Sequence, residues 1–509
     1  MSSTVWVIIA FVLYALVMLG IGFFFFKKSS NLSDYFLGGR KLNSWVAAMS
    51  AQASDMSGWL LMGLPGAVYA FGSGQVWIAV GLAIGTILNW IFVAKRLRRY
   101  TIVSGDSITI PEYFHNRFKD SSKILQVASA LFITIFFAVY TASAFVAGGT
   151  LFSQVFDLDY QLALVIGVVL ILAYTFLGGF SAVCWTDFVQ GLLMLVAILA
   201  IPILALVAIG GPSSLSDALP AGFLNVMQDG SGNTISAISI ISQLAWGLGY
   251  FGMPHILIRF MAIDEEKSVK KSATIAIVWV LLSLTFAVFG VGVVGAALLP
   301  GLADPETVFI QMIQNIFMSQ GAFVPVPLIG GIFLCGILAA IMSTADSQLL
   351  VTASSITTDI YKGVVNKKAS DKHLVWFSRI CVVAVSIVAF IIAMDRTSSI
   401  MGLVSNAWSG FGSAFGALVL LSLYWKRTNR AGAVAGILAG GLTVIIWDYI
   451  PIMSGATFAQ TTGLYSLVPG FCLSFIFVVV ISLVTKAPSE EIRKEFELVS
   501  SSAPVNPSK

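Results

Sequence analysis

Long apolar runs separated by short polar segments are the main feature of this chain. Each run approaches the roughly 20 apolar residues that a helix needs to cross a bilayer. The thirteen runs are residues 5–26, 43–68, 75–94, 124–155, 160–178, 182–209, 236–262, 273–299, 324–352, 374–394, 399–425, 432–450 and 463–485. The pattern predicts an all-α polytopic membrane protein with about 13 transmembrane helices.

Two of these runs contain residues that do not suit a regular membrane helix. The second run has Asp55 at its centre, among small polar residues, and the seventh contains three glycines followed by Pro254. An ionisable side chain at membrane depth costs about 2.5 to 3.5 kcal/mol even on a lenient scale, so it is retained only with a partner. We expect both helices to break in mid-membrane, and the carbonyls freed beside Asp55 are typical of a cation site.

The two interrupted runs lie five runs apart, which predicts an internal repeat. An odd number of crossings inverts the second set relative to the first, as in transporters whose site lies between broken helices at the midplane. The predicted division is a peripheral N-terminal helix at 1–42, five-helix repeats at 43–210 and 236–425, two peripheral C-terminal helices at 431–486, and a cytoplasmic tail at 487–509.

Composition and charge agree with a membrane protein and indicate its orientation. Hydrophobic residues make up 58% and charged residues 10%, against about a quarter charged in soluble domains. Of 28 Lys and Arg, Arg259 among them, only Arg396 falls in an outward segment if the N-terminus is outside, so we expect the C-terminus to be cytoplasmic. The net charge of +4 reflects this topology, and no nucleic-acid partner is expected.

Two connecting segments are predicted to form helices of their own. Residues 306–318 carry apolar side chains at helical spacing, which predicts a helix lying on the membrane interface. The tail after residue 487 predicts a short helix followed by disorder, with no enzymatic domain.

Several motifs resemble the sodium/solute symporter family. They are SDYFLGGR at 33–40, the stretch around Asp55, YTFLGGFSAVCWTDFVQ at 174–190 and GILAAIMSTADSQLL at 336–350. The sequences at 53–69 and 246–262 are most similar to the proline-transporting members, and the likeness covers nearly the whole chain. The resemblance implies a LeuT-like fold and sodium-driven uptake of L-proline across a bacterial inner membrane, with no obligate protein partner.

The resemblance also implies positions for the binding residues. The sodium ligands would be the backbone oxygens of Ala53, Met56 and Ala340 and the side chains of Ser343 and Thr344, with the charge of Asp55 nearby. The substrate contacts would be Trp59, Tyr140, Trp246 and Tyr250. A second cation site is implied at Asp187, Ser343, Asp346 and Ser347; a proton-sharing acid pair is the alternative there.

Other interpretations of these residues stay open. Asp55 could be a structural acid paired with a hydroxyl, the aromatic residues could serve packing alone, and Asp187 lies close enough to the inner surface for a helix cap. An intramembrane hydrolase lacks a matching motif, and a sensor lacks a signalling domain. The main alternative is a sodium symporter for another amino acid, a carboxylate, a sialic acid or a sugar.

Overall fold

The computed structural model describes residues 3–26, 32–176, 179–452, 455–501 and 505. The described residues form helices and connecting loops. The helices are α1 Ser3–Phe26, α2 Leu32–Leu37, α3 Ser44–Asp55, α4 Trp59–Phe71, α5 Ser73–Val103, α6 Ile110–Arg117, α7 Ile124–Phe156, α8 Tyr160–Thr175, α9 Phe180–Ala208, α10 Leu215–Ala218, α11 Ala237–Leu244, α12 Trp246–Gly249, α13 Pro254–Ala262, α14 Ser268–Leu298, α15 Val308–Phe317, α16 Pro327–Val365, α17 Asp371–Ala393, α18 Ile400–Tyr424, α19 Arg430–Tyr449, α20 Phe458–Thr462, α21 Leu467–Val484 and α22 Glu490–Ser500.

Within the described residues, each of the thirteen apolar runs coincides with helix. Within the described part of the chain, ten helices are long and apolar enough to cross a membrane. They are α1, α5, α7, α9, α14, α16, α17, α18, α19 and α21. The fifth run forms the shorter helix α8. The second and seventh runs, whose sequences predict a break, are each divided into shorter helices.

The break in the second run lies directly after Asp55. The Asn43 side chain caps the start of α3 by accepting hydrogen bonds from Trp45 N and Val46 N, both at 3.0 Å. The helix ends at Asp55, because Met56 has φ −87° and ψ 77° and leaves the helical region. A new helix begins at Trp59, after Gly58, whose added Cβ would lie 2.8 Å from the Ala147 Cβ of α7.

The break in the seventh run has a different local cause. Proline disfavours helical backbone in the residue before it, and Met253 is accordingly extended at φ −79° and ψ 105°. Pro254 then occupies the first turn of α13, where its missing N–H costs nothing. The two predicted breaks are therefore present, one at a run of small polar residues and the other at a proline.

Apolar side chains cover the outer surface of several long helices. Leu13 and Leu16 on α1 are 55% and 60% exposed, and Ile387 and Ile391 on α17 are 55% and 61% exposed. Exposed aliphatic residues on this scale, on helices that satisfy their own backbone groups, are what a lipid environment requires. The protein is therefore a multi-pass membrane protein.

The segment predicted to lie on the membrane interface is instead packed into the protein. The apolar residues of α15 are all buried, against α4, α16 and their neighbours. The prediction was wrong because an amphipathic pattern does not distinguish a lipid surface from a protein surface. Just before α15, the Glu306 carboxylate accepts hydrogen bonds from Ile400 N at 2.9 Å and Met401 N at 3.0 Å, which caps α18, and burial raises the pKa of this carboxyl.

The predicted tail helix is present as α22. Its buried residues Ile492, Phe496 and Val499 face the body of the protein, and the Arg99 guanidinium donates to Val499 O at 3.1 Å. The tail after this helix was predicted to be disordered. Apart from residues 501 and 505, it lies outside the described residues.

Glycines allow the seventh run to pack closely against α5. A Cβ added to Gly85 would lie 2.2 Å from Gly247 O, and one added to Gly247 would lie 2.2 Å from Gly81 O. Small residues at helix interfaces permit this backbone approach. The position of α12, and of the residues around it, therefore depends on glycine at these positions.

We predict that Gly85→Ala lowers the thermal unfolding midpoint in detergent, because overpacking costs typically about 1 to 3 kcal/mol. Gly22→Ala in α1 is the matched control, since no atom lies within 4 Å of its added Cβ. Equal midpoints for the two variants would contradict the close approach.

Candidate functional site

The Asp55 carboxylate joins the two broken runs. Its side chain is fully buried, and its Oδ2 accepts a hydrogen bond from the Tyr250 hydroxyl at 2.7 Å. The other oxygen, Oδ1, is buried with no hydrogen-bond partner. Since a buried carboxylate is retained only where its charge is compensated, this junction has an acceptor oxygen suited to a cation.

The residues predicted to bind sodium bring α3 and α16 together. The Ser343 hydroxyl on α16 donates to Ala53 O on α3 at 2.8 Å, and it lies 3.3 Å from Ala340 O on its own helix. Thr344 Oγ1 is buried with no hydrogen-bond partner. Met56, the remaining predicted ligand, is fully buried at the break itself.

This arrangement supplies oxygen donors of the kind that hard cations prefer. The predicted ligands come from the last turn of α3, the break after it, and one turn of α16. An ion bound there would interact with both helices and with the negative charge of Asp55 in a low-dielectric environment.

The predicted substrate residues are buried around the same junction. Trp59 donates from Nε1 to Asp55 O at 2.9 Å, and Tyr250 binds the Asp55 side chain. Tyr140 is fully buried, its hydroxyl has no hydrogen-bond partner, and its ring lies 6.2 Å from that of His255. Trp246 is 6% exposed and lies one turn before Tyr250.

Two further aromatic residues belong to this cluster and were not identified from the sequence. Trp408 on α18 donates from Nε1 to Trp246 O at 2.7 Å, and its ring meets that of Tyr250 edge-on at 5.0 Å. Tyr465 stacks on Trp246 with ring centroids 5.5 Å apart. Both lie far from residue 246 along the chain, so no local pattern could have linked them to it.

A buried ion pair occupies the region of the predicted second cation site. Arg259 on α13 and Asp187 on α9 are both inaccessible to solvent, and Arg259 NH2 lies 3.1 Å from Asp187 Oδ2. The same NH2 donates to Ser347 Oγ at 2.5 Å, and Arg259 Nε donates to Ser50 Oγ at 3.1 Å. The guanidinium therefore connects four helices through one positive charge.

Arg259 was counted in the sequence with the inward-facing lysines and arginines, but its side chain is buried and paired inside the protein. The side chain points into the protein because its carboxylate partner lies there, on a helix remote in sequence. The signal in the sequence was an arginine inside an apolar run with no acid on its own helix, which indicates a buried partner on another helix. Asp346 lies beside this group, with its Oδ1 3.4 Å from Ser347 Oγ.

Two broken helices that meet at a buried carboxylate, inside an all-α bundle, define a secondary transporter of the inverted-repeat class. Solved structures share this fold. A Na+-coupled sialic acid symporter, in a substrate-bound outward-open state, superposes with a TM-score of 0.78 at 19% identity and covers 95% of this chain and 99% of its own. Mhp1, a nucleobase-cation-symport-1 family transporter, gives 0.56 at 12% identity over 92% and 99% of the two chains. The predicted LeuT-like fold class is confirmed.

The profile of the sodium:solute symporter family matches residues 35–440, and the chain belongs to this family. The protein is thus a transporter and not an enzyme. High-affinity proline transporter PutP of Bacillus subtilis is 45% identical over 482 residues, covering 94% of this chain and 98% of that protein. A sodium/proline symporter of Haemophilus influenzae is 44% identical over 500 residues, covering 96% and 97%. The family resemblance is confirmed.

We predict that Arg259→Met lowers the thermal unfolding midpoint strongly, since removing one partner of a buried pair costs about 3 to 5 kcal/mol. Adding Asp187→Leu should recover much of the loss, because neither charge is then left unpaired. Arg396→Met is the control: its pair with Asp159 is exposed at both side chains, and such pairs contribute about 0 to 1 kcal/mol. Similar midpoints for Arg259→Met and Arg396→Met would contradict the buried pair.

Proposed function

We propose that this protein carries L-proline into the cell together with sodium, by alternating access. The observation that carries the proposal is the Asp55 carboxylate at the junction of the two broken runs, with one oxygen bonded to Tyr250 and the other without a partner. Relatives named as proline transporters, 44–45% identical over nearly the whole chain, support proline as the solute.

In this proposal sodium binds at Ala53, Met56, Ala340, Ser343 and Thr344. The 2.8 Å contact between Ser343 Oγ and Ala53 O supports the assignment, because it brings two of the ligand oxygens together from different helices. Asp55 lowers the cost of holding the ion through its charge. Sodium would thereby fix α3 against α16.

Proline would bind beside this ion, among Trp59, Tyr140, Trp246 and Tyr250. Aromatic side chains offer apolar walls for a pyrrolidine ring, and a tyrosine hydroxyl can donate to a carboxylate. The unpartnered hydroxyl of Tyr140 supports this role, since a buried hydroxyl without a partner costs free energy until a ligand satisfies it.

The coupling follows from the position of the ion between moving parts. Sodium binding orders the broken second run, and the ordered backbone then presents Trp59 and the Asp55 region to proline. The membrane potential favours inward movement of the ion by about 2.3 kcal/mol per charge per 100 mV. Release to the cytoplasm frees α3 from α16 and resets the cycle.

The ion pair of Arg259 with Asp187 affects whether a second cation can bind. The guanidinium already neutralises Asp187 and binds Ser347, so we propose one sodium per proline. A second ion at Asp187, Ser343, Asp346 and Ser347 is the alternative, and it requires Arg259 to withdraw. A charge-to-solute ratio of two in proteoliposomes would favour the alternative.

We also propose the inverted division of the chain and its orientation. The repeats are 43–210 and 236–425, flanked by the peripheral segments 1–42 and 431–486 and the tail 487–509, with the N-terminus outside and the C-terminus in the cytoplasm of a bacterial cell. Support comes from the two breaks, five runs apart, and from the charge bias of the loops. Periplasmic activity of a C-terminal alkaline phosphatase fusion would contradict the orientation.

We predict that Asp55→Asn in proteoliposomes raises the sodium concentration for half-maximal proline uptake by tenfold or more, because it removes the charge beside the ion. Asp217→Asn, on the short helix α10 with an exposed side chain, is the matched control and should behave as wild type. If the wild-type protein takes up proline equally well without sodium, the coupling is refuted. If another amino acid, a carboxylate, a sialic acid or a sugar competes as well as unlabelled proline does, the assignment of proline as the solute is refuted.

We predict that Tyr140→Phe raises the KM for proline roughly threefold to tenfold, corresponding to a lost hydrogen bond of about 0.5 to 1.5 kcal/mol. The sodium dependence at saturating proline should stay unchanged. Tyr160→Phe is the control, since its hydroxyl donates to Ala393 O at 2.9 Å within the protein. An unchanged KM for Tyr140→Phe would assign this residue to packing alone.

A further inference from the structure

A cavity lies away from the Asp55 junction, between α6, the start of α7, the end of α16 and the start of α17. Its volume is about 560 Å³, and none of the proposed sodium or proline residues line it. Charged and amide side chains line it, including Glu112, Gln126, Asp359, Lys362 and Lys367. We call it the basic-face cavity, since it lies at the face where most loop lysines and arginines are found.

Two buried oxygens of this cavity have no donor. Asp359 is fully buried, and its Oδ1 accepts from Thr109 Oγ1 at 2.9 Å and from Gln126 Nε2 at 3.0 Å. The bond from Nε2 fixes the Gln126 amide, so that its Oε1 is the remaining acceptor. Asp359 Oδ2 and Gln126 Oε1 are both buried without a hydrogen-bond partner. A buried acceptor in this state costs free energy that a donor would recover.

Acidic side chains and lysines line the cavity in equal numbers. Three carboxylates line it, those of Glu112, Asp359 and Asp371, together with three ammonium groups, those of Lys123, Lys362 and Lys367. Three lysines disfavour a simple cation, and three acids disfavour a simple anion. A ligand with one charge of each sign suits this lining.

The lysines differ in how far they are committed to the protein. Lys123 donates from Nζ to Gly363 O, so its charge is held at the edge of the cavity. Lys362 is half-buried near Glu112, and Lys367 is exposed at the rim. The positive end of the cavity therefore has two side chains able to turn toward a carboxylate.

We propose that the basic-face cavity binds a small zwitterionic amino acid, with its ammonium group between Asp359 Oδ2 and Gln126 Oε1 and its carboxylate toward Lys362 and Lys367. The ammonium of proline has two N–H donors, which matches the two acceptors; the choice of proline rests on the proposed function. In the proposed orientation the cavity faces the compartment into which the solute is released, so it is a separate site for the released solute.

Equilibrium binding of radiolabelled L-proline to the purified full-length protein tests this proposal. In sodium-free N-methylglucamine buffer the central site is expected to be empty, and the basic-face cavity should give a saturable component. Asp359→Asn should weaken that component at least tenfold. Lys367→Glu should also weaken it at least threefold, because it reverses the charge at the carboxylate end.

Lys368→Glu is the matched control, since Lys368 is also exposed but does not line the cavity, and it should bind as wild type. Tighter binding to Lys367→Glu would indicate a simple cation site and overturn the proposal. So would the absence of sodium-free binding in wild type, or binding unaffected by both cavity variants. If Asp359→Asn does not fold, Lys367→Glu decides alone, because its side chain is exposed.

The same experiment separates this site from the central one. Binding that appears only on adding sodium, and that Asp55→Asn removes, reports the central site. If the wild-type protein lacks the sodium-dependent component but keeps the sodium-free component, the proposed function is refuted and the cavity proposal stands. The reverse pattern refutes the cavity while leaving the proposed function.

Discussion

The hydrogen bond between Tyr250 and Asp55 is the contact on which the arrangement of the two broken runs depends. It joins a carboxylate at the end of α3 to the short segment between α12 and α13, across 195 residues of sequence. Both groups are buried, so water cannot replace either partner without opening the junction. The carboxylate keeps one oxygen without a protein donor, and this oxygen is the one that the proposed function assigns to the neighbourhood of the sodium ion.

The protein treats its buried acids in two ways. Asp187 has a resident cation, Arg259, whose guanidinium also binds Ser50 and Ser347 and so ties α9 and α13 to α3 and α16. Asp55 has a neutral hydroxyl donor instead. In a low-dielectric interior a permanent ion pair fixes the helices that carry it, whereas a carboxylate without a fixed counter-charge suits an exchangeable ion. The proposed coupling uses this difference.

Close packing of the helices brings the aromatic side chains around Asp55 together. Gly85, Gly247 and Gly249 allow α5, α12 and α18 to approach until a methyl group would clash, and Trp408 occupies the space beside Gly249, where an added Cβ would lie 2.0 Å from its Nε1. The aromatic cluster of Trp246, Trp408 and Tyr465 is thereby assembled from three separate helices or loops. Close packing surrounds these helices, while the backbone leaves the helical conformation at Met56 and Met253.

The sequence by itself determined the helical runs, the two breaks and the place of Asp55 at one of them, because span length, proline geometry and the cost of a buried charge are local properties. It also carried the family motifs. Only the tertiary structure decided that α15 packs inside the protein, that Arg259 pairs with Asp187, that Trp408 and Tyr465 join Trp246, and that Asp359 and Gln126 border the basic-face cavity. Each of these features depends on contacts between residues that are distant along the chain. The local sequence around a residue does not specify which distant side chain will pair with its charge or pack against it.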